Sequence, residues 1–142
     1  MKGGYSLDKN LIVAGPFQFF VTSYDLSTLF ANKVVAFLER SFYKGKFQKI
    51  PFKGRDVYDL FWLTQLSGKS SYELKVNENR LEALIGNTDV KSIKKQVADK
   101  LMLLDDKALY DALYPLLESK ETLDGFIGSY KEYLSKYLSF VL

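Results

Sequence analysis

The residue pattern changes character at about Asp25, and that change constrains the fold more than any other feature. Residues 10–24 are β-branched and aromatic and are interrupted by Gly15-Pro16, which predicts one or two short strands around a turn. Beyond Asp25 the apolar residues recur at helical spacing, and polar capping residues punctuate them. Asp25 or Ser23 is placed to cap a helix running to about Arg40. A Lys/Gly loop with Gly45, Pro51 and Gly54 as breakers follows, then a helix from about Arg55 to Leu66 that ends near Gly68. Asn77 opens a short helix closed by Gly86, and Thr88 or Asp89 opens one to about Leu104. Asp105-Asp106 caps a helix to about Glu118 that Pro115 kinks or ends, and a last helix spans roughly Thr122 to Leu138. The expected class is mainly α: five or so helices packed as one domain over residues 1–142, with a short N-terminal β element over 1–24 and a helical region over 25–142.

With 142 residues, 47% of them hydrophobic, the chain has material for one real core and is not disordered. No apolar run approaches the roughly 20 residues of a membrane span, and residues 1–5 lack the apolar stretch of a signal peptide. Cysteine and histidine are both absent, which excludes disulfides, thiol nucleophiles and the commonest general base and transition-metal ligand. Chemistry in this chain rests on carboxylates, lysine, tyrosine and hydroxyls. A reducing, cytoplasmic location is the expectation.

The net charge of +3 conceals an asymmetry. Residues 1–55 carry nine Lys/Arg against three acids, and the remainder carries eleven against fourteen. From Arg40 to Arg55 the cations Arg40, Lys44, Lys46, Lys49, Lys53 and Arg55 occur with no acid between them, interleaved with Phe42, Tyr43, Phe47 and Phe52. Such a stretch suits a phosphate-bearing partner, since cations recruit phosphate and aromatics stack on bases. It equally suits a solvated loop whose aromatics cap the core.

Two helices break the expected pattern. On a helical wheel of residues 26–40, Leu26, Leu29, Phe30 and Phe37 form a stripe with Lys33 in its middle and Arg40 close to its line. A lysine there snorkels, pairs with a buried acid, or faces a cleft. The helix from Arg55 is apolar nearly all round, which predicts burial, yet it carries Asp56 and Asp59 on one face. Asp56 suits the positive end of the helix dipole, and Arg55 stands four residues before Asp59, in ion-pairing range. Alternatively, Lys33 or Arg40 of the preceding helix supplies the counter-charge, as at an active site or in a structural lock.

Tyr24-Asp-Leu-Ser-Thr-Leu-Phe-Ala-Asn-Lys-Val-Val-Ala-Phe-Leu-Glu-Arg40 followed by Lys53-Gly-Arg-Asp-Val-Tyr-Asp-Leu-Phe-Trp62 resembles the AbiEii/AbiGii nucleotidyltransferase-toxin family. In that family an alanine-x-lysine helix ending in arginine precedes lysine-glycine-arginine-aspartate-x-tyrosine-aspartate-leucine. Lys100 to Leu117 resembles the helical tail of these proteins, so the likeness spans roughly residues 20–120. The resemblance implies a bacterial nucleotidyltransferase-like protein of phage defence and toxin–antitoxin systems, using NTP with Mg²⁺, with tRNA as acceptor in some relatives and a cognate antitoxin as partner. It implies Lys33, Asp56 and Asp59 as catalytic residues, and Lys33, Arg40, Lys53, Arg55 and Tyr58 as nucleotide- or phosphate-binding residues. Lys33 and Arg55 would contact phosphate or hold the acids, while Asp56 and Asp59 would support the site or help activate the acceptor.

The chain departs from the family at one point. Two-metal nucleotidyl transfer needs an aspartate-x-aspartate pair after a glycine-glycine motif, and no Asp-x-Asp occurs here. Lys2-Gly3-Gly4-Tyr5 bears a superficial likeness to the glycine motif, but no strand precedes it and no acid pair follows. The expectation is therefore a C-terminal helical portion, catalytically incomplete alone and with no metal ligands of its own. The alternatives are a stand-alone RNA- or partner-binding helical module without enzymatic activity, and a structural remnant with a buried ionic lock. An apolar surface left facing a missing half, in a chain with 22 aromatics, predicts a homo-oligomer.

Overall fold

The computed structural model describes residues 3–40, 42–44, 46, 48–69, 75–86 and 89–141. Among the described residues, two β-hairpins and six α-helices follow one another along the chain. Strands β1 (Leu7–Ala14) and β2 (Phe17–Tyr24) form an antiparallel ribbon with Leu7 opposite Tyr24 and Ala14 opposite Phe17. Gly15 opens its two-residue turn at φ 60°, the left-handed backbone that a hairpin turn of this length demands.

Helix α1 (Leu26–Glu39) begins where Asp25 accepts a hydrogen bond from the Thr28 amide at 2.8 Å, so Asp25 and not Ser23 is the cap. A small hairpin, β3 (Phe42–Lys44) with β4 (Gln48–Ile50), occupies the stretch expected to be a plain Lys/Gly loop. Phe47 and Gly45 lie outside the described residues, as do the side chains of Phe42, Tyr43 and Lys44. Phe52 is buried and does cap the core. Helix α2 (Gly54–Lys69) follows, then α3 (Glu78–Ile85), capped by Asn77, and α4 (Val90–Leu103), capped by Asp89. The other candidate cap, Thr88, lies outside the described residues. Helix α5 (Asp106–Leu113) is capped by Asp105 and passes into a single 3₁₀ turn around Pro115, so the helix expected to reach Glu118 stops about one turn earlier. Helix α6 (Lys120–Val141) closes the chain.

The core is one cluster to which every helix contributes: Phe30 and Val34 of α1, Leu60 of α2, Leu81 of α3, Val97 of α4, Leu109 of α5 and Leu123 of α6. Two readings of helix faces are corrected. The buried stripe of α1 runs through Phe30, Ala31, Val34, Val35 and Phe37, while Leu26 is exposed. Lys33 therefore borders the stripe instead of sitting in its middle, because the first turn of α1 emerges beside the exposed ribbon. Helix α2 is not buried all round either. It packs on α1 along one side and on α5 and α6 along another, which leaves Trp62 half exposed.

A hydrogen-bonded staple joins α5 to α6. The buried Tyr130 hydroxyl donates to Asp106 Oδ1 at 2.6 Å, and Lys131 Nζ approaches the same oxygen at 3.3 Å while donating to the Leu104 carbonyl. Burial and the neighbouring Asp106 push the Tyr130 hydroxyl well above its ordinary range, and the bond from Tyr130 holds the Asp106 carboxyl below its own.

Candidate functional site: the seam between α1 and α2

Helices α1 and α2 pack against each other, and two cross-helix ion pairs lie along their seam. Lys33 Nζ stands 2.6 Å from Asp59 Oδ2, with both side chains about one quarter exposed (25% and 29%). Arg40 Nη1 stands 3.3 Å from Asp56 Oδ1, with the guanidinium side chain 55% exposed and the aspartate only 2%. Residue 33 meets 59 and residue 40 meets 56, so the helices run antiparallel along the seam. The i,i+4 pair between Arg55 and Asp59 does not form, because Asp59 turns to Lys33 across the seam while Arg55 is exposed.

Each pair has a local cause. Arg40 ends α1, where its extended backbone takes the chain out of the helix and its amide donates to Ala36. Asp56 falls in the first turn of α2, whose dipole favours an anion, and its amide donates to the Lys53 carbonyl at 3.0 Å. Asp56 Oδ1 accepts from Arg40, but Oδ2 is buried without a hydrogen-bond partner. A buried carboxylate oxygen left unpaired is costly, and such oxygens are infrequent in folded proteins.

A third cation enters from α4. Lys100 Nζ donates to the carbonyls of Phe37 and Leu38 and approaches that of Arg40 at 3.5 Å, so it closes the C-terminal turn of α1. It also lies 5.1 Å from the centre of the Phe37 ring. Burial pulls its ammonium below the usual lysine range, and the charge of Asp56 pulls it partly back. Sequence reasoning did not single out Lys100. Its signal was available: it lies three residues after Val97 and next to Leu101, beside the buried stripe of α4.

Beside these groups lies a cavity of about 320 Å³, lined among others by Arg40, Lys49, Pro51, Lys100 and Leu104. Lys53 and Arg55 are exposed at the start of α2. Tyr58 is half buried, and its ring packs edge-on against Phe126 of α6 at 5.2 Å, so it is committed to the helical core. The structure thus brings Lys33, Arg40, Asp56 and Asp59 together on one seam, sets Lys53 and Arg55 at its open end, and turns Tyr58 towards α6.

The seam is built from the two segments that carry the family likeness, and one family model matches the chain across them. That model, the nucleotidyl transferase AbiEii toxin of type IV toxin–antitoxin systems, covers residues 5–139. The chain belongs to the AbiEii nucleotidyl transferase toxin family. The match extends over the ribbon and all six helices, well beyond the stretch from 20 to 120 in which the motifs lie. Comparison with curated proteins and with solved structures returned no match. Among the described residues, no helix is long and apolar enough to cross a membrane.

Proposed function

We propose that this chain is the helical portion of an AbiEii-type nucleotidyltransferase and that its α1–α2 seam binds the phosphates of a nucleoside triphosphate. The observation that carries the reading is the surplus of positive charge on and beside the seam. Lys33 and Arg40 pair with Asp59 and Asp56 across the seam, Lys53 and Arg55 are exposed at the start of α2, and among the described residues lining the cavity Arg40, Lys49 and Lys100 stand against one acid, Glu39. A cleft lined by one sign of charge concentrates a polyphosphate, and Arg and Lys bind it through charge-assisted hydrogen bonds.

The acids hold the cations in place before nucleotide arrives. Asp59 fixes Lys33 and Asp56 fixes Arg40, so each cation loses little side-chain freedom when phosphate takes the place of Asp59 at Lys33 and adds to Asp56 at Arg40. Asp59 is the more accessible acid and is the one placed to accept a proton from an acceptor hydroxyl; a tRNA end is the acceptor that the family suggests. Asp56 stays behind as the buried counter-charge for Arg40 and Lys100.

A divalent metal does not fit this seam. Asp56 and Asp59 each already face a cation, and among the described residues no three His, Cys, Asp or Glu side chains converge as ligands. The carboxylates that hold Mg²⁺ in a nucleotidyltransferase are therefore supplied by other residues than these. In this reading the chain binds and orients NTP but does not turn it over alone, and an antitoxin is its protein partner.

Thermal unfolding with each Mg²⁺-NTP tests the proposal. A ligand at about 100 times its Kd stabilises the fold by about 2.7 kcal/mol, enough to raise Tm by about 9 °C in a chain of this length. The rise is expected for the wild-type chain and is expected to vanish in Lys33→Ala/Arg55→Ala. No rise with any of the four nucleotides, in protein shown to be folded, would remove the reading.

A further inference from the structure

The β1–β2 ribbon stands outside the core, and every residue of its strands except Tyr24 is exposed. Successive residues of a strand face opposite sides, so one face presents Leu11, Val13 and Phe20 and the other presents Ile12, Phe17, Phe19 and Val21. Both faces are apolar, the pattern of strands covered on both sides. A lone two-stranded ribbon is also marginal in water.

The base of this ribbon, by contrast, is held firmly. Arg80, one of the few buried charged residues, donates to the Gly3 carbonyl at 2.8 Å and to Asn32 Oδ1 at 2.9 Å, and it lies 5.9 Å from the rings of Tyr5 and Tyr24. Asn77 Nδ2 donates to the Gly4 carbonyl and to Thr28 Oγ1, which also accepts from the Ser6 amide. The Asp25 amide donates to the Ser6 carbonyl at 3.0 Å. A segment with a clamped base and bare faces is presented, not loose.

The geometry points to a second copy of this chain as the occupant: two ribbons pair antiparallel about a two-fold axis, each tip lying over its partner's base. Three observations favour that occupant. From Leu7 to Val21 the ribbon exposes eight large apolar residues, from 39% to 69% each. On ordinary residue areas these amount to on the order of 800 Å² over the two faces together, more than the largest apolar patch of a typical monomer. Two of the three most exposed of them, Phe17 and Val13, are beside the turn at the tip, while Tyr5 and Leu26 are exposed apolar residues at the base. An antiparallel two-fold pairing puts those two sets together twice, as an isologous interface requires. Finally, among the described residues no strand lies beside the outer edges of β1 and β2, which form a sheet of two strands.

Sedimentation equilibrium and disulfide trapping test this independently of nucleotide binding. The wild-type chain is expected to sediment as a dimer at 50–100 µM, roughly the range in which moderate interfaces hold. Phe17→Lys/Phe20→Lys is expected to be monomeric with unchanged helical circular dichroism, while Trp62→Lys, on an exposed site of α2, remains dimeric. The chain has no cysteine, so Val13→Cys/Tyr5→Cys reports the arrangement directly. Within one chain those positions stand roughly 26 Å apart along the strand, far beyond disulfide reach, so any bridge joins two copies. The double variant is expected to give covalent dimer, and neither single variant is. A wild-type monomer would overturn the proposal and leave the ribbon to a different polypeptide. So would a dimer that survives the Phe17/Phe20 change, or one trapped by Val13→Cys alone, which would signal tip-to-tip association.

Discussion

Lys33 and Asp59 lie 26 residues apart in sequence and meet at 2.6 Å across the α1–α2 seam while each keeps about a quarter of its side chain in water. That partial exposure decides what the pair is worth. Solvent screens an exposed pair to about 0.2–1 kcal/mol. Lys33→Met, Asp59→Leu and the double variant, compared by urea unfolding, are expected to give a coupling energy of about 1 kcal/mol or less that shrinks in 1 M salt. A pair worth so little to the fold is free to exchange partners, as nucleotide binding requires.

The Arg40–Asp56 pair behaves differently because its acid is buried. Arg40→Met leaves Asp56 facing only Lys100, and the expected loss is about 2 kcal/mol, below the range for fully buried pairs because Arg40 itself reaches solvent. Removing both charges in Arg40→Met/Asp56→Leu is expected to restore part of that stability. Urea midpoints for the three proteins check the order.

The Tyr130–Asp106 staple makes stability depend on pH at both ends of the scale. The folded state raises the Tyr130 hydroxyl, so its contribution is present below the ordinary tyrosine value of about 10 and is lost as pH rises beyond it. The folded state lowers the Asp106 carboxyl, so that contribution is present above about pH 4 and is lost on further acidification. Relative to Tyr130→Phe, the wild type is therefore expected to lose stability below about pH 4 and above about pH 10. Paired thermal melts from pH 2 to 11 measure the difference, from which the other titrating groups cancel.

Gly4 holds the ribbon's base with a backbone that other residues avoid. Its φ is 76°, and an added Cβ would stand 2.4 Å from the Asn79 carbonyl oxygen, a backbone atom that cannot step aside cheaply. Gly4→Ala is expected to cost about 2 kcal/mol or more and to release the segment before β1. Faster amide exchange at Ser6 and Asp25, with α4 to α6 unchanged, is the signature to look for.

How much of this was legible in the sequence depends on the range of the interaction. The caps at Asp25, Asn77, Asp89 and Asp105 were readable because a cap bonds within three residues of itself, and each does so here. The ion-pairing of Lys33 and Arg40 with the acids of the next helix was among the open alternatives, since charges bordering apolar stripes need partners. The β3–β4 hairpin was not readable, because its strands are three residues long and glycine and lysine dominate the signal around them. Lys100 escaped because its carbonyl partners are 60 to 63 residues away. The face of α1 was misjudged at Leu26, where a wheel assigns burial by spacing alone, although it is Thr28 that the first turn buries, against Asn77 at the start of α3.

The central claim is that the α1–α2 seam is a nucleotide site and not only a lock between helices. Isothermal titration of the wild-type chain and of Lys33→Met with each Mg²⁺-NTP, at one fixed salt concentration, tests it most directly. The account predicts measurable binding by the wild type and at least a tenfold loss in Lys33→Met, about 1.4 kcal/mol, while the variant's unfolding midpoint moves little. Equal affinities in the two proteins, or no heat with any nucleotide from folded wild type, would contradict it.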